Sequence, residues 1–119
     1  MFAWKVQIGY PGKEFLIKET KYIHYNLADD EINVIEQRIK QVLDINKEAS
    51  IYIDYWDTGD TIHVRFSGNE AHIYKGERDA MDVTSEDAKK FLQKLFLQIR
   101  EKAKVLCKAA SFSSLYVDN

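Results

Sequence analysis

Apolar and polar positions alternate strictly at the start of the chain. Trp4, Val6 and Ile8 are separated by single residues that are more polar, and a period of two is typical of a strand with one buried face. A Pro-Gly pair at positions 11–12 predicts a turn. Residues 14–24 continue with a less regular alternation, so we expect a second strand that pairs with the first as a hairpin.

The spacing of apolar residues becomes helical further along the chain. Ile32, Ile35 and Ile39 recur at intervals of three and four, which places them on one side of a helix that packs against a sheet. Asn26 is a suitable N-cap, and acidic residues follow it in the first turn. We therefore predict a helix over residues 27–45.

Three short runs follow in which apolar and polar residues alternate again. They cover 51–56, 62–66 and 71–74, and turn-forming sequences that contain glycine separate them. Residues 51–75 are therefore predicted to form a three-stranded antiparallel meander. Residues 76–84 are polar, and we predict that they form a connector.

A second long amphipathic stretch follows the connector. Apolar residues recur at helical spacing from Ala88 to Leu106, behind a capping threonine or serine at 84–85, so we predict a helix over 85–110. Residues 111–117 are apolar enough to form either a short extra strand or an end that docks on the body of the protein.

The order of these elements is β-β-α-β-β-β-α. It predicts an α+β fold, a two-layer sandwich with a mainly antiparallel sheet of about five strands and two helices. The length of 119 residues suits a single α+β domain over 1–119. If both helices cover one side of the sheet, the other side is open. The residues expected in the core are Trp4, Ile35, Ile39, Ile53, Val64, Leu92 and Leu95.

The composition limits which cross-links, membrane segments and cellular compartments we expect for the protein. Cys107 is the single cysteine, so an intrachain disulfide and a paired-cysteine metal site are excluded, and we expect this cysteine to be a small core residue. The apolar stretches are only a few residues long, which argues against a membrane span. The first ten residues lack the basic-then-apolar layout of a secretory signal. Together these features favour a cytoplasmic protein.

Charge is unevenly distributed along the chain, although the formal net charge is only −2. Residues 28–87 hold fifteen acidic and six basic residues, and residues 88–119 hold seven basic and two acidic residues. Such polarity raises association rates and selects partners, whereas charge runs more often only solvate helices and loops. The acidic middle of the chain argues against nucleic acid as a partner.

The polar register of the meander has an unusual composition. A solvated sheet face usually carries threonine, lysine, glutamate and serine, whereas this one carries tyrosine, tryptophan, histidine and arginine, and protein interfaces favour several of these residue types. The predicted partner-binding residues, with the acids of the adjoining turn, are Tyr52, Asp54, Trp56, Asp57, Asp60, His63, Arg65, His72 and Tyr74. An alternative interpretation is that cross-strand aromatic pairs only stabilise the sheet, or that a helix or the tail covers this face.

Other kinds of site have less support. His63 and His72 could bind a metal together with Asp54, but no fixed ligand spacing supports this, and we predict no metal site and no cofactor. His63 oriented by Asp54 could also act as a general acid or base. No motif frames a nucleophile, so we do not expect an enzyme.

These features lead to two hypotheses about function. The first is a small cytosolic protein that binds and inhibits another protein, such as a toxin-neutralising immunity protein or a phage-encoded inhibitor of host defence, with a toxin or nuclease as the expected kind of partner. The alternative is a binding module, either monomeric or oligomeric, that holds a nucleotide-like small ligand between Arg65, the histidines and the tyrosines.

Overall fold

The computed structural model describes the backbone of residues 3–12, 16–55, 59–76 and 80–117, and the side chains of these residues as far as Ala109, apart from that of Ile17. Six strands and two helices follow one another along these ranges in nearly the predicted order. In chain order they are β1 (Trp4–Gly9), β2 (Ile17–Ile23), α1 (Ala28–Asn46), β3 (Glu48–Tyr55), β4 (Thr61–Ser67), β5 (Glu70–Lys75), β6 (Met81–Thr84) and α2 (Ser85–Val117).

All the strands belong to one antiparallel sheet with the order β2-β1-β3-β4-β5-β6. The predicted α+β class and the meander are confirmed. The sheet has one strand more than expected, because Met81 and Val83 of the predicted connector pair with Ile73 and Ala71. Only two apolar residues alternate in this strand, which is too short for its period to be recognised in the sequence.

Both helices cover the same side of the sheet. α1 packs on β2 and β3, α2 packs on β4, β5 and β6, and the helices share one apolar core with the inward residues of the strands. Within the described ranges, the opposite side of the sheet therefore carries no helix. The residues predicted to be buried all lie in this core, namely Trp4, Ile35, Ile39, Ile53, Val64, Leu92 and Leu95.

α1 begins one residue later than predicted, and the prediction of Asn26 as its N-cap is wrong. Leu27 occupies the N-cap position and makes no side-chain hydrogen bond there. The backbone N–H of Leu27 donates to the carbonyl of His24 at 3.0 Å, which places Asn26 inside a turn before the helix starts. The first turn of α1 carries acidic residues that interact favourably with the positive end of the helix dipole.

α2 is longer than predicted. Its backbone stays helical as far as Val117, so the interpretation of residues 111–117 as a short strand is wrong. A helix that is already nucleated gains one hydrogen bond for each further residue that it fixes, which favours continuation over a new element. The predicted cap is confirmed, since the Thr84 hydroxyl accepts a hydrogen bond from the N–H of Asp87 at 3.1 Å. Cys107 is only half-buried and lies outside the core, which corrects its prediction as a core residue.

One arginine of α2 joins the two helices on their outer side. Nη2 of Arg100 donates to Oε1 of Glu36 at 2.6 Å and to Oδ1 of Asn33 at 2.9 Å, and its Nε lies 3.6 Å from Oδ1 of Asp29. The side chain of Arg100 is only 19% exposed. Hydrogen bonds to charged groups that are partly shielded from water contribute more to stability than those of exposed pairs.

We expect Arg100→Met to lower the free energy of unfolding by about 1–2 kcal/mol, because methionine keeps the apolar stem but leaves Glu36 unpaired. Chemical denaturation measures this loss. The matched control is Lys104→Met on the same helix, where an exposed lysine lies 3.5 Å from Glu101 and the expected loss is below about 0.5 kcal/mol. Equal losses in the two variants would show that Arg100 does not hold the helices together.

Candidate functional site

We call the side of the sheet that carries no helix the open face. Side chains alternate along each strand, so residues that lie opposite one another in neighbouring strands share a side of the sheet. The register places on the open face Thr20, Tyr22, Lys5, Gln7, Tyr52, Asp54, Thr61, His63, Arg65, His72, Tyr74 and Asp82. Most of the predicted partner-binding residues are therefore together on one surface.

Three rings form a continuous stack across the open face, which we call the aromatic row. Tyr52 of β3, His63 of β4 and Tyr74 of β5 lie directly opposite one another in the register. The ring centroids of Tyr52 and His63 are 4.0 Å apart with an interplanar angle of 13°, and those of His63 and Tyr74 are 5.1 Å apart with an angle of 16°. Because the rings turn their faces toward one another, the row presents ring edges to a partner.

His63 is the central ring of the aromatic row. Its Nε2 atom is shielded from solvent and has no hydrogen-bond partner among the described residues. Burial, followed by the positive charge of Arg65, lowers the pKa of His63 to about 4. The imidazole is therefore neutral at neutral pH. A general acid or base works best with a pKa near the operating pH, so this environment does not suit a catalytic histidine.

A polar line runs beside the aromatic row toward the edge of the sheet. Arg65 is exposed and lies opposite His72, and His72 in turn lies opposite Asp82 of β6. Nδ1 of His72 is 2.6 Å from Oδ1 of Asp82, so the carboxylate orients the imidazole. The line joins the centre of the open face to its outer strand.

Asp54 lies on the other side of the aromatic row and pairs with a hydroxyl. It is opposite Thr61 in β4 and opposite Lys5 in β1, and its Oδ1 accepts a hydrogen bond from the Thr61 hydroxyl at 3.1 Å. The register places His63 opposite Tyr52 instead. The structure therefore brings Asp54 and His63 onto the same face but gives Asp54 a different hydrogen-bond donor.

Two of the predicted site residues, Trp56 and Asp57, lie outside the described residues. Asp60 is exposed and immediately precedes β4, and its carbonyl accepts the N–H of Tyr55 at 2.8 Å. Its place is thus the turn that adjoins the open face, as the sequence predicted.

The sequence predicted Asp82 to lie in an acidic connector that flanks the meander, and not on the sheet itself. In the structure Asp82 belongs to β6 and is the direct partner of His72. The alternation in the four residues Met-Asp-Val-Thr was the available signal. Thr61 was also missed as the donor to Asp54, because a threonine at the end of a strand gives no signal of its own.

Among the described residues, no group of three or more histidine, cysteine, aspartate or glutamate side chains could hold a metal ion. No helix in the described ranges is both long enough and apolar enough to cross a membrane. A groove of about 380 Å³ lies between α1 and α2, with Ile39, Leu43, Leu92 and Phe96 in its apolar floor, on the side of the protein away from the open face.

No protein family model, curated protein or solved structure matches this chain. Its function must therefore be inferred from the chemistry of the open face.

Proposed function

We propose that this protein binds another protein through the open face and thereby blocks that partner, as toxin-neutralising immunity proteins and phage-encoded inhibitors do. The observation that supports this proposal most is the aromatic row, which stands stacked on a sheet face free of described helices. Tyrosine and arginine are enriched among the residues that dominate binding energy at protein interfaces. Here Arg65 follows His63 by two residues on β4, so it lies on the same face and diagonally across from both tyrosines of the row.

The stack also lowers the entropic cost of binding. Tyr52 and Tyr74 are each held against the His63 ring before any partner arrives, so their rotamers are already restricted. Immobilising a side chain at an interface costs roughly 0.5–1.5 kcal/mol, and a surface that is ordered in advance avoids part of this cost. A rigid aromatic centre with charged neighbours is thus a suitable anchor for a partner protein.

The charges around the open face suit a partner with a basic surface, such as a nuclease toxin. β3 and β5 run in the same direction, since each is antiparallel to β4, so the β3–β4 and β5–β6 connections leave the same end of the sheet. Both connections carry a net negative charge in sequence, with Asp57 and Asp60 in the first and with Glu77 and Asp79 on either side of Arg78 in the second. A net negative charge in these connections accelerates association with a basic partner and deters nucleic acid.

A nucleotide-like ligand fits this face less well. The 4.0 Å between the ring centroids of Tyr52 and His63 is already a stacking distance, so a base cannot insert between them. A partner protein needs only the exposed edges of the row. We propose no enzymatic activity and no cofactor, and a cytoplasmic setting in keeping with the single cysteine.

The test is affinity capture from a lysate of the source cells, followed by purification of the captured protein. We expect Arg65→Ala to weaken binding at least about tenfold, because it removes an arginine beside the aromatic row, a residue type that often dominates binding energy at interfaces. We also expect wild-type protein to inhibit the purified partner at a one-to-one ratio. Lys94→Ala, an exposed position on α2, is the matched control and should bind normally. If Lys94→Ala abolishes binding and Arg65→Ala does not, α2 is the binding surface and the open face is structural.

A further inference from the structure

The sheet has two outer strands, β2 and β6. Alternate residues of an outer strand bond to its neighbour, and the hydrogen bonds at the strand ends show which backbone groups of β6 point outward instead. The N–H of Ser85 donates to the carbonyl of Asn69 at 2.8 Å, and the N–H of Gly76 donates to the carbonyl of Thr61 at 2.9 Å. In an antiparallel ladder, hydrogen-bonded and non-hydrogen-bonded pairs alternate. The odd-numbered residues of β6 therefore bond to β5, and the backbone N–H groups of Asp82 and Thr84 point away from the sheet.

The β2 edge is protected against the addition of another strand. Glu19 and Lys21 lie opposite Ile8 and Val6, so their charged side chains are on the side of the sheet that the helices cover. Nε of Arg38 on α1 donates to both carboxylate oxygens of Glu19, at 2.6 and 2.8 Å, and this guanidinium holds the pKa of Glu19 below its usual value. Inward-pointing charges on an edge strand are a known means of blocking edge-to-edge pairing.

The β6 edge has no such protection among its described residues. Its sequence, Met-Asp-Val-Thr, contains neither lysine nor proline. Met81 and Val83 lie opposite Ile73 and Ala71 on the side that α2 covers, and Met81 is still 48% exposed. A further strand would cover Met81 and satisfy the outward N–H and C=O groups of Asp82.

We propose that the β6 edge binds an extended segment of a partner protein, which adds to the sheet as an antiparallel strand. This inference rests on the proposed function in one respect only, which is the assumption that the partner is a protein. The segment that fits alternates apolar and basic residues. Its apolar side chains would lie beside Met81 and Val83, and its basic side chains would lie on the open face beside Asp82, whose side chain is 82% exposed. Main-chain hydrogen bonds then supply affinity, and the alternating side chains supply specificity.

Charge argues that the added strand is not the β6 of a second copy. A two-fold antiparallel pair places Asp82 opposite its own symmetry mate, Thr84 or Ala80 of the other copy, and the last of these arrangements brings the two β6 strands together only at Met81. The first arrangement sets two aspartates directly opposite each other, and the second brings Asp82 next to the first turn of the other α2, which carries Glu86 and Asp87. Like charges directly opposite in a sheet are destabilising, whereas a lysine or arginine at this position is favourable.

The probe is a short synthetic peptide in which lysine and valine alternate, added to the full-length protein. We expect amide hydrogen exchange at Asp82 and Thr84 to slow by about fivefold or more, and exchange at Thr20 and Tyr22 on the β2 edge to stay unchanged. The peptide residues that exchange hydrogen bonds with Asp82 share its face and are therefore the lysines. Methylation of the lysine backbone nitrogens should abolish the effect, and methylation of the valine backbone nitrogens should preserve it.

A pair of proline variants locates the binding edge. Because hydrogen-bonded and non-hydrogen-bonded pairs alternate, the N–H groups of both Asp82 and Thr20 point away from their neighbouring strands. Proline at either position therefore removes no hydrogen bond between strands. Asp82→Pro should abolish peptide binding, and Thr20→Pro should leave it unchanged, with thermal melting used to confirm that both variants fold. If Asp82→Pro does not fold, the two methylated peptides still decide the question.

Several results would overturn the edge site. One is that the peptide slows exchange at Thr20 and Tyr22 rather than at Asp82 and Thr84. Others are that the two methylated peptides bind equally well, or that a peptide with glutamate in place of lysine binds as well as the original. Dimer formation by the protein without peptide would also overturn it. The open face is tested separately. If the peptide does not bind but Arg65→Ala still weakens binding of the captured partner, the edge site is wrong and the proposed function stands.

Discussion

Replacement of Ile35 by alanine is expected to lower the free energy of unfolding by about 2–5 kcal/mol, the usual range for such a truncation in a well-packed core. Ile35 is 1% exposed and belongs to the stripe of α1 that faces the sheet. The substitution removes three carbon atoms, and the rigid strands on one side and α2 on the other limit how far the core can close around the cavity. Urea denaturation followed by circular dichroism measures the loss.

The same helix supplies a matched control. Ile45 also belongs to α1 but is 76% exposed, so Ile45→Ala removes the same atoms without creating a cavity and is expected to change stability by less than about 0.5 kcal/mol. If both variants lost the same amount, helix propensity or the unfolded state would account for the effect, and the assignment of the buried side of α1 would be wrong.

The difference in burial between Ile35 and Ile45 could be predicted from the sequence, because it depends only on the spacing of apolar residues. An isoleucine that recurs at intervals of three and four with Ile32 and Ile39 lies on the apolar stripe, and Ile45 does not. The same reasoning applies to the alternation in β1, β3, β4 and β5. It predicts that Tyr52, His63 and Tyr74 share one surface.

What periodicity could not predict is which residues meet. The stack of Tyr52 on His63 needs these residues directly opposite each other, and that depends on the register between two strands, set here by the turn between Tyr55 and Asp60. The strand that contains Asp82 was not predicted for a similar reason: it is four residues long, and it forms because it pairs with β5 rather than because of a local pattern.

Asn26 shows a limit of another kind. The residue type is a good helix cap, but the backbone between β2 and α1 closes a turn through His24 and Leu27, and the helix starts only after that turn. Local preference was overridden by the geometry needed to bring α1 onto the sheet. Residues 111–117 show the reverse, since residue types that suit a strand continue a helix that precedes them.

The aromatic row contains a feature that stability alone does not explain. Nε2 of His63 is shielded from water without a hydrogen-bond partner among the described residues, and leaving a polar atom buried and unpaired costs about 1–3 kcal/mol. Phenylalanine would stack between Tyr52 and Tyr74 without that cost. A destabilising side chain at the centre of a surface is typical of sites that serve binding rather than folding.

We expect His63→Phe to stabilise the protein by roughly 1–2 kcal/mol at pH 7, because it removes the unpaired nitrogen, and to stabilise it further in acid. Burial lowers the pKa of His63 from the usual 6.5 to about 4. As the pH falls below 6.5, the imidazole of the unfolded chain takes up a proton while that of the folded protein stays neutral, so the free energy of unfolding falls until about pH 4. The full shift corresponds to roughly 3 kcal/mol, which solvent screening of this half-buried ring reduces to about 1–2 kcal/mol.

Urea denaturation of both proteins at pH 7, 5.5 and 4.5 tests this expectation. The advantage of His63→Phe should grow toward pH 4.5, and an NMR titration of the wild-type imidazole should have its midpoint well below 6.5. A variant that is less stable than wild type at every pH would mean that His63 makes a stabilising hydrogen bond, and its role in the row would then be structural. If the variant is more stable but binds the captured partner more weakly, His63 lowers the stability of the protein and contributes to partner binding, as expected from the proposed function. The two measurements together separate a ring that merely fills the sheet face from one that a partner recognises.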